Sequence, residues 1–311
     1  MKLGYACINL SMKNTFRTLR LATLREQGLP YLQTLVDANM VLLAEILRWN
    51  HEHNVLMYRL SSDLVPFGSH DEVELTKIAF PLRHEIASLA QGMRLSTHPG
   101  QFTLPSADGE VWQRSVKDLH YHCYLMDILG IDGDIVLHGG GVYGDRGATA
   151  ERIKRNLRSL PAEIQRRIRL ENDERSWAVD ELLPICEETG IPLIVDSLHH
   201  AINGKMPLAN LPWVNIFATW QDRVPKLHYS EQDPTKRAGA HSSYVDVNAF
   251  SKFLASVPGS SYDVMLECKA KEQTLLKLRQ ELAILAREGS PEIATLINTK
   301  QIEGIYAAAT L

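Results

Sequence analysis

The sequence predicts an α/β fold: a single (β/α)8 TIM barrel with an extra C-terminal helix, taking residues 1–311 as one domain. Three observations predict it. First, short apolar runs recur, each bounded by turn residues: Asp134-Ile-Val-Leu-His138, Ile168-Arg-Leu-Glu171, Pro192-Leu-Ile-Val-Asp196, Pro225-Lys-Leu-His228 and Val264-Met-Leu-Glu267. Such runs read as buried strands. Second, the stretches between them carry helical apolar spacing, and alternating strands and helices make a parallel sheet covered on both faces. Third, each run ends in a residue able to bind a metal, and chemistry confined to the C-terminal ends of strands describes the catalytic rim of a barrel.

The elements follow in order. Residues 2–10 alternate Leu3, Tyr5, Cys7 and Asn9 against Gly4, Ala6, Ile8 and Leu10, a first strand. Residues 31–53 place Leu32, Leu35, Val36, Met40, Leu43, Ile46 and Leu47 on one helical face. The second strand spans 56–62, followed by a loop to His70 and a helix to about Ala90. The third, 94–98, is stopped by Pro99-Gly100, and its helix, 111–129, ends at Gly130 as a C-cap. The fourth strand runs into Gly139-Gly140-Gly141. A helix over 149–160, a fifth strand over 168–171 and a helix over 179–189 closed by Gly190 come next. The sixth strand is 191–196, 213–221 a short helix, and 226–229 the seventh strand. Helix 246–256, strand 263–267 and helix 273–287 close the barrel, and 291–309 forms the extra helix.

Totals set bounds on partners. With 45% hydrophobic residues the chain buries a large core, and no apolar stretch is long enough to span a bilayer. The N-terminus lacks the apolar core and cleavage site of a signal peptide, so cytoplasmic residence with use at the nucleoid is expected. Cys7, Cys123, Cys186 and Cys268 are far apart and read as small buried apolar residues. A formal charge of -4 argues against a strong non-specific nucleic-acid binder, although carboxylates that hold cations inflate that figure. Basic residues between Arg152 and Arg169 read as a solvated helix face.

Chemistry gathers at the strand ends. Glu171, Asp196 and Glu267 each terminate a run that should be buried, where a lone carboxylate is costly without a cation or donors. Singly, each could pair with an arginine or cap a helix. Together with His98, His138 and His228 at equivalent ends, they point to divalent ions. His199 follows Asp196 by three residues, and His241 lies in the long loop after the seventh strand. So many ligands exceed the needs of one ion, and two or three ions bridged by carboxylates suit displacement at phosphorus. Lys226 shares a strand face with His228. The triple glycine either lets backbone N–H groups approach a phosphate or makes a bare tight turn.

At these residues the chain resembles the UV damage endonuclease family, metal-dependent barrels related to apurinic endonucleases and xylose isomerase. The motifs are Tyr58-Arg-Leu-Ser-Ser-Asp-Leu-Val-Pro-Phe-Gly-Ser-His70, Ser96-Thr-His-Pro-Gly-Gln101, Val136-Leu-His-Gly-Gly140, Leu170-Glu-Asn-Asp173, Asp196-Ser-Leu-His199, Pro225-Lys-Leu-His-Tyr-Ser230 and Met265-Leu-Glu267. They extend from the second to the eighth strand.

The resemblance implies a DNA repair endonuclease that nicks immediately 5′ of cyclobutane dimers and 6-4 photoproducts, and also at abasic sites. Products would carry 3′-hydroxyl and 5′-phosphate ends, and Mn2+ would be the preferred cofactor. It implies that His98, His138 and Glu171 hold one ion, that Glu171, Asp196, His228 and Glu267 hold a second, and that His199 and His241 hold a third. Lys226, a candidate for carboxylation, and His70 match active-site positions beside Glu171 and Glu267. Gln101 and Phe102 match a pair that probes the duplex, with Phe102 where some relatives have tyrosine. Tyr5 and Asn9 match lesion-contacting positions. The implied partner is double-stranded DNA with UV lesions, with no membrane and no obligate protein partner. The alternative is a metal-dependent sugar isomerase or epimerase on the same barrel, and a catalytically silent binder of damaged DNA is a third reading.

Overall fold

The computed structural model describes residues 1–305. Among these, eight parallel strands form one sheet in the order β6-β5-β4-β3-β2-β1-β8-β7: β1 (Leu3–Ala6), β2 (Met57–Arg59), β3 (Arg94–Thr97), β4 (Asp134–His138), β5 (Ile168–Glu171), β6 (Leu193–Ile194), β7 (Lys226–Tyr229) and β8 (Asp263–Leu266). A parallel bridge from Asp196 to His228 joins the two outer strands, and the sheet is that of a TIM barrel. By contacts the chain divides into two compact units, one built from 1–6, 54–57 and the segment from Arg169 onward, the other from Cys7–His53 and Tyr58–Ile168.

In the first unit, β8 lies between β1 and β7, with Tyr5 opposite Leu266 and His228 opposite Met265. Helices α6 (Val179–Thr189), α7 (Ser197–Asn203), α8 (Trp213–Ala218), α9 (Val247–Ser256), α10 (Lys271–Glu288) and α11 (Pro291–Lys300) belong here. Gly190 ends α6 in the left-handed region at φ 72°, as its position predicts. Asp246 caps α9 through the N–H groups of Asn248 and Ala249, at 3.0 and 2.9 Å. Lys300, on the extra helix, donates to the carbonyls of Val257 and Gly259 at 2.7 and 2.6 Å, which fastens α11 to the end of α9. That helix reaches Lys300; of the predicted 291–309, residues 306–309 lie outside the described residues.

The second unit holds α1 (Leu21–Glu52), α2 (Arg83–Ala90), α3 (Gly109–Ile128), α4 (Arg146–Ser159) and α5 (Ala162–Gln165). All seven apolar residues predicted to line one face of the first helix are buried. The helix begins earlier than predicted and breaks at Gly28 (φ 68°), just before Pro30. Buried Asn39 clasps the segment leading into it, accepting from Arg17 N at 2.7 Å and donating to Arg17 O at 3.0 Å.

Several expectations are corrected. The first strand stops at Ala6 because Cys7 takes φ 72°, which breaks the alternation. The long helix expected between His70 and Ala90 is only α2, since Pro81 bars an earlier start. The sixth strand is reduced to Leu193–Ile194: Pro192 has no N–H, and Leu193 donates to Thr219 Oγ1 (3.1 Å) while accepting from Trp220 Nε1 (2.8 Å). The basic cluster is only partly a solvated face. Arg155, Arg158 and Arg166 are exposed, whereas Arg167 is buried against Asp127 (2.7 Å) and Arg169 lies over the Trp220 ring at 5.4 Å. Cys123, Cys186 and Cys268 are buried, as expected, and all four thiols are free. Among the described residues no helix is long and apolar enough to cross a membrane.

Candidate metal centre

In the first unit, successive elements deliver the predicted ligands to one place. Glu171 is the last residue of β5, its side chain 1% exposed. His228 lies on β7 and Glu267 directly follows β8. His228 Nδ1 sits 2.7 Å from Glu171 Oε1 and 3.0 Å from Glu267 Oε1. One ligand atom from each of these three residues lies within 4.8 Å of the other two, and the same holds for Glu171, Asp196 and His199. Glu171 is common to both groups.

Asp196 caps a helix with one carboxylate oxygen and keeps the other unpartnered. Its Oδ1 accepts the His199 N–H at 2.8 Å and caps α7, while its buried Oδ2 has no hydrogen-bond partner. His199 Nδ1 hydrogen-bonds the Asn172 carbonyl at 3.0 Å, and His241 Nδ1 bonds the Glu267 carbonyl. A ring nitrogen tied to a carbonyl carries a proton, so in the neutral form of each ring it is the opposite Nε2 that presents the lone pair. His200 turns away, its Nε2 on the Met206 carbonyl at 2.9 Å. Lys226 is fully buried on the strand face of His228.

The electrostatics suit a cation. Burial lowers the affinity of His228 for a proton, but the Glu171 and Glu267 carboxylates outweigh it and raise its pKa to about 9. His199 behaves alike: burial lowers it, Asp196 and Glu171 raise it, and it reaches about 9. Burial is the main cause raising Asp196 to about 6, with Glu171 and Glu267 adding repulsion. These acids hold protons on imidazoles because buried carboxylates demand positive charge, which a divalent ion would meet better. The orphaned Asp196 Oδ2 and the mixed nitrogen–oxygen donor set fit such an ion.

Asn172 and Glu174 stand beside the predicted ligands without having been predicted from the sequence. Asn172 donates from Nδ2 to the Asp196 carbonyl at 3.1 Å and accepts the Asp196 N–H at 2.8 Å, a two-way bracket holding the end of β5 against Asp196. Its place one residue after a strand-end carboxylate was the available signal. Glu174 Oε2 lies 3.9 Å from His199 Nε2.

The second unit carries the other predicted residues. His98 follows β3, with Nδ1 on the Pro99 carbonyl at 3.0 Å, and its ring centroid is 5.0 Å from that of His138 at the end of β4. Beyond them, Gln101 is exposed and Phe102 is 77% exposed. The loop backbone is nonetheless pinned: Thr103 N–H donates to the Gly100 carbonyl at 3.0 Å and Leu104 N–H to Ser115 Oγ at 3.0 Å. A cleft of about 490 Å³ lies beside Phe102, bordered by His70, Arg114 and Lys117. His70 accepts the Glu72 N–H at Nδ1 (3.2 Å), and its loop rests on Tyr121, against which a Cβ at Gly68 would lie only 2.2 Å from ring carbon Cε2. Gly140 (φ 86°) is needed for a tight turn, since a Cβ there would sit 2.4 Å from Ser106 Oγ. Asn9 is 4% exposed and accepts the Ser11 N–H at 2.9 Å. Tyr5, in the first unit, is fully buried in β1.

A parallel barrel whose strand ends gather histidines and carboxylates belongs, as a class, with the barrels that can hold divalent ions. More particularly, the family model described as UV-endonuclease UvdE matches residues 1–293, and the chain belongs to that family. It is 32% identical over 291 residues to a UV DNA damage endonuclease of Clostridium perfringens, covering 89% of this chain and 69% of that protein. It is 35% identical over 262 residues to a UV DNA damage endonuclease of Bacillus cereus, covering 80% and 82%. The crystal structure of SacUVDE matches with a TM-score of 0.79 and 32% identity, over 92% of this chain and 99% of that one. Endonuclease IV from Thermus thermophilus (TM-score 0.53, 15% identity, 90% and 98% covered) shares the fold.

Proposed function

We propose that this protein is a metal-dependent DNA endonuclease, one 1–311 domain, that nicks duplex DNA immediately 5′ of UV photoproducts. Cyclobutane dimers, 6-4 photoproducts and abasic sites are its lesions, and its products carry 3′-hydroxyl and 5′-phosphate ends. Family membership supports this reading, together with the names of the relatives. The observation that carries it is Glu171, one carboxylate common to two potential ion sites. The sugar isomerase reading has fold-level likeness alone.

In this reading two or three Mn2+ ions occupy the centre. His98, His138 and Glu171 hold one, supported by the 5.0 Å pairing of the two imidazoles. Glu171, Asp196, His228 and Glu267 hold the second, and His199 with His241 the third. Bound there, divalent ions supply Lewis-acid activation of the phosphodiester and neutralise charge on the departing 3′ oxygen. Lys226 and His70 act beside Glu171 and Glu267 in the reacting centre, with Lys226 a candidate for carboxylation. Gln101 and Phe102 meet the lesion from the surface, Tyr5 and Asn9 meet it once bound DNA uncovers them, and lesion-bearing duplex DNA in the cytoplasm is the partner. A duplex with one cyclobutane dimer tests the activity. A single nick on its 5′ side is expected, and scission elsewhere or none overturns the proposal.

Loading the centre with metal should release protons. His228 and His199 are protonated below about 9, and a ligating imidazole must be neutral. Metal affinity should therefore rise from pH 7 toward 9, and fall further as pH drops through about 6, where Asp196 takes a proton. Calorimetric Mn2+ titrations in buffers of different ionisation enthalpy check this. Buffer-independent heats with constant affinity over that range would contradict it.

Phe102→Ala should weaken binding to damaged duplex by roughly 1–3 kcal/mol, the scale of base–aromatic stacking. Its ring is 77% exposed, so the melting temperature should hardly change, and Phe102→Tyr should keep the affinity. If Phe102→Ala binds and nicks like the unaltered protein, the ring is not a probe of the stack.

A further inference from the structure

We propose that Glu174 is a further metal-ligating residue, completing with His199 and His241 a third cation site at the edge of the centre. The inference rests on the metal reading above and adds the anionic donor that two neutral imidazoles lack. Stripping an ion of water is costly, and a carboxylate offsets that cost far better than neutral ligands do.

The loop after β5 is built to fix Glu174 in place. Asp173 Oδ1 accepts the N–H groups of Arg175 (2.8 Å) and Ser176, and Oδ2 accepts that of Trp177 at 3.2 Å. The Asp173 N–H returns to the Trp177 carbonyl at 3.0 Å, which closes the turn with Glu174 near its apex. Asn203, the last residue of α7, donates to the Asp173 carbonyl at 3.1 Å and ties this turn to the helix carrying His199.

Two neighbours lie against the Glu174 side chain. The Asn172 carbonyl holds His199 Nδ1, leaving Nε2 as the atom 3.9 Å from Glu174 Oε2. Donors bound to one ion at about 2.0–2.2 Å each lie roughly 3–4 Å apart. The second neighbour is the segment leading to His241. Gly239 (φ 82°) lies so close that a Cβ there would be 3.2 Å from Glu174 Cγ. The His241 ring centroid is 6.2 Å from that of His199, and its Nδ1 is already spent on the Glu267 carbonyl. Among the described residues, the ion pair on the other carboxylate oxygen is with Arg175 Nε at 3.5 Å, and the Arg175 side chain is 70% exposed. Such a surface contact is worth little and does not explain the aim of Oε2. Two imidazoles and one carboxylate would leave coordination positions open for a substrate oxygen.

Metal-free full-length protein is titrated with Mn2+ and bound ion is followed by electron paramagnetic resonance, for the unaltered chain, Glu174→Gln, His199→Ala and Arg175→Ala. Glu174→Gln should lose the same equivalent as His199→Ala, or bind it at least roughly tenfold more weakly. Its melting temperature without metal should not change, Arg175→Ala should titrate like the unaltered chain, and Glu174→Asp should recover part of the affinity. Unchanged stoichiometry and affinity in Glu174→Gln overturn the inference, as does an Arg175→Ala variant with the same loss. If the unaltered chain binds Mn2+ and nicks damaged duplex while Glu174→Gln titrates normally, this inference alone fails. If the unaltered chain binds no divalent ion, the metal reading fails and this inference with it.

Discussion

Glu171→Gln is expected to abolish nicking while the barrel stays folded. Glu171 lies within 4.8 Å of ligand atoms from His228, Glu267, Asp196 and His199, so its carboxylate serves two potential ion sites at once. Glutamine keeps the volume and removes the charge. Loss of a preorganised group from a buried reacting centre lowers turnover by on the order of 10²–10³-fold, and loss of a shared ligand should exceed that. Without metal, His228 Nδ1 loses the carboxylate 2.7 Å away, and its pKa should fall from about 9 toward the ordinary histidine value. Glu267 still lies 3.0 Å from that nitrogen, so the imidazole is not stranded and the fold should survive. Glu267→Gln should behave in the same way. Incision assays beside circular dichroism and metal content provide the check. Unimpaired incision by either purified variant would remove the centre from the chemistry.

Chelation is expected to remove activity altogether, and Mn2+ should restore it better than Mg2+. The donor set mixes imidazole with carboxylate, and Mg2+ prefers oxygen ligands and gives up its waters reluctantly. Asp196 Oδ2 and the proton-holding His228 and His199 mark where positive charge is wanted in the absence of an ion. Chelated protein dialysed free of chelator and supplied with each ion in turn, on a dimer-containing duplex, gives the order. Undiminished nicking without any divalent ion would refute the mechanism, and a Mg2+ rate above that with Mn2+ would refute the argument from donor type.

Local pattern alone determined the barrel and set candidate ligands at the ends of its strands. The bounds of β4, β5 and β7 are those predicted from their apolar runs, because a buried parallel strand is a continuous apolar segment. Strand alternation places Lys226 and His228 on one face, and a carboxylate ending a buried run announces a need for charge. Only the tertiary structure decided how each group is held. The Asn172 bracket spans 24 residues, and the contact from His199 to the Asn172 carbonyl spans 27, distances over which no local periodicity operates. The early end of β1 at Cys7, whose N–H goes to the Arg59 carbonyl, and the shortening of β6 by Thr219 and Trp220 were likewise set by partners remote in sequence. Hydrophobic period is written along the chain because water acts on every residue separately. Hydrogen-bond and ligand partnerships are pairwise, and folding chooses which pairs meet.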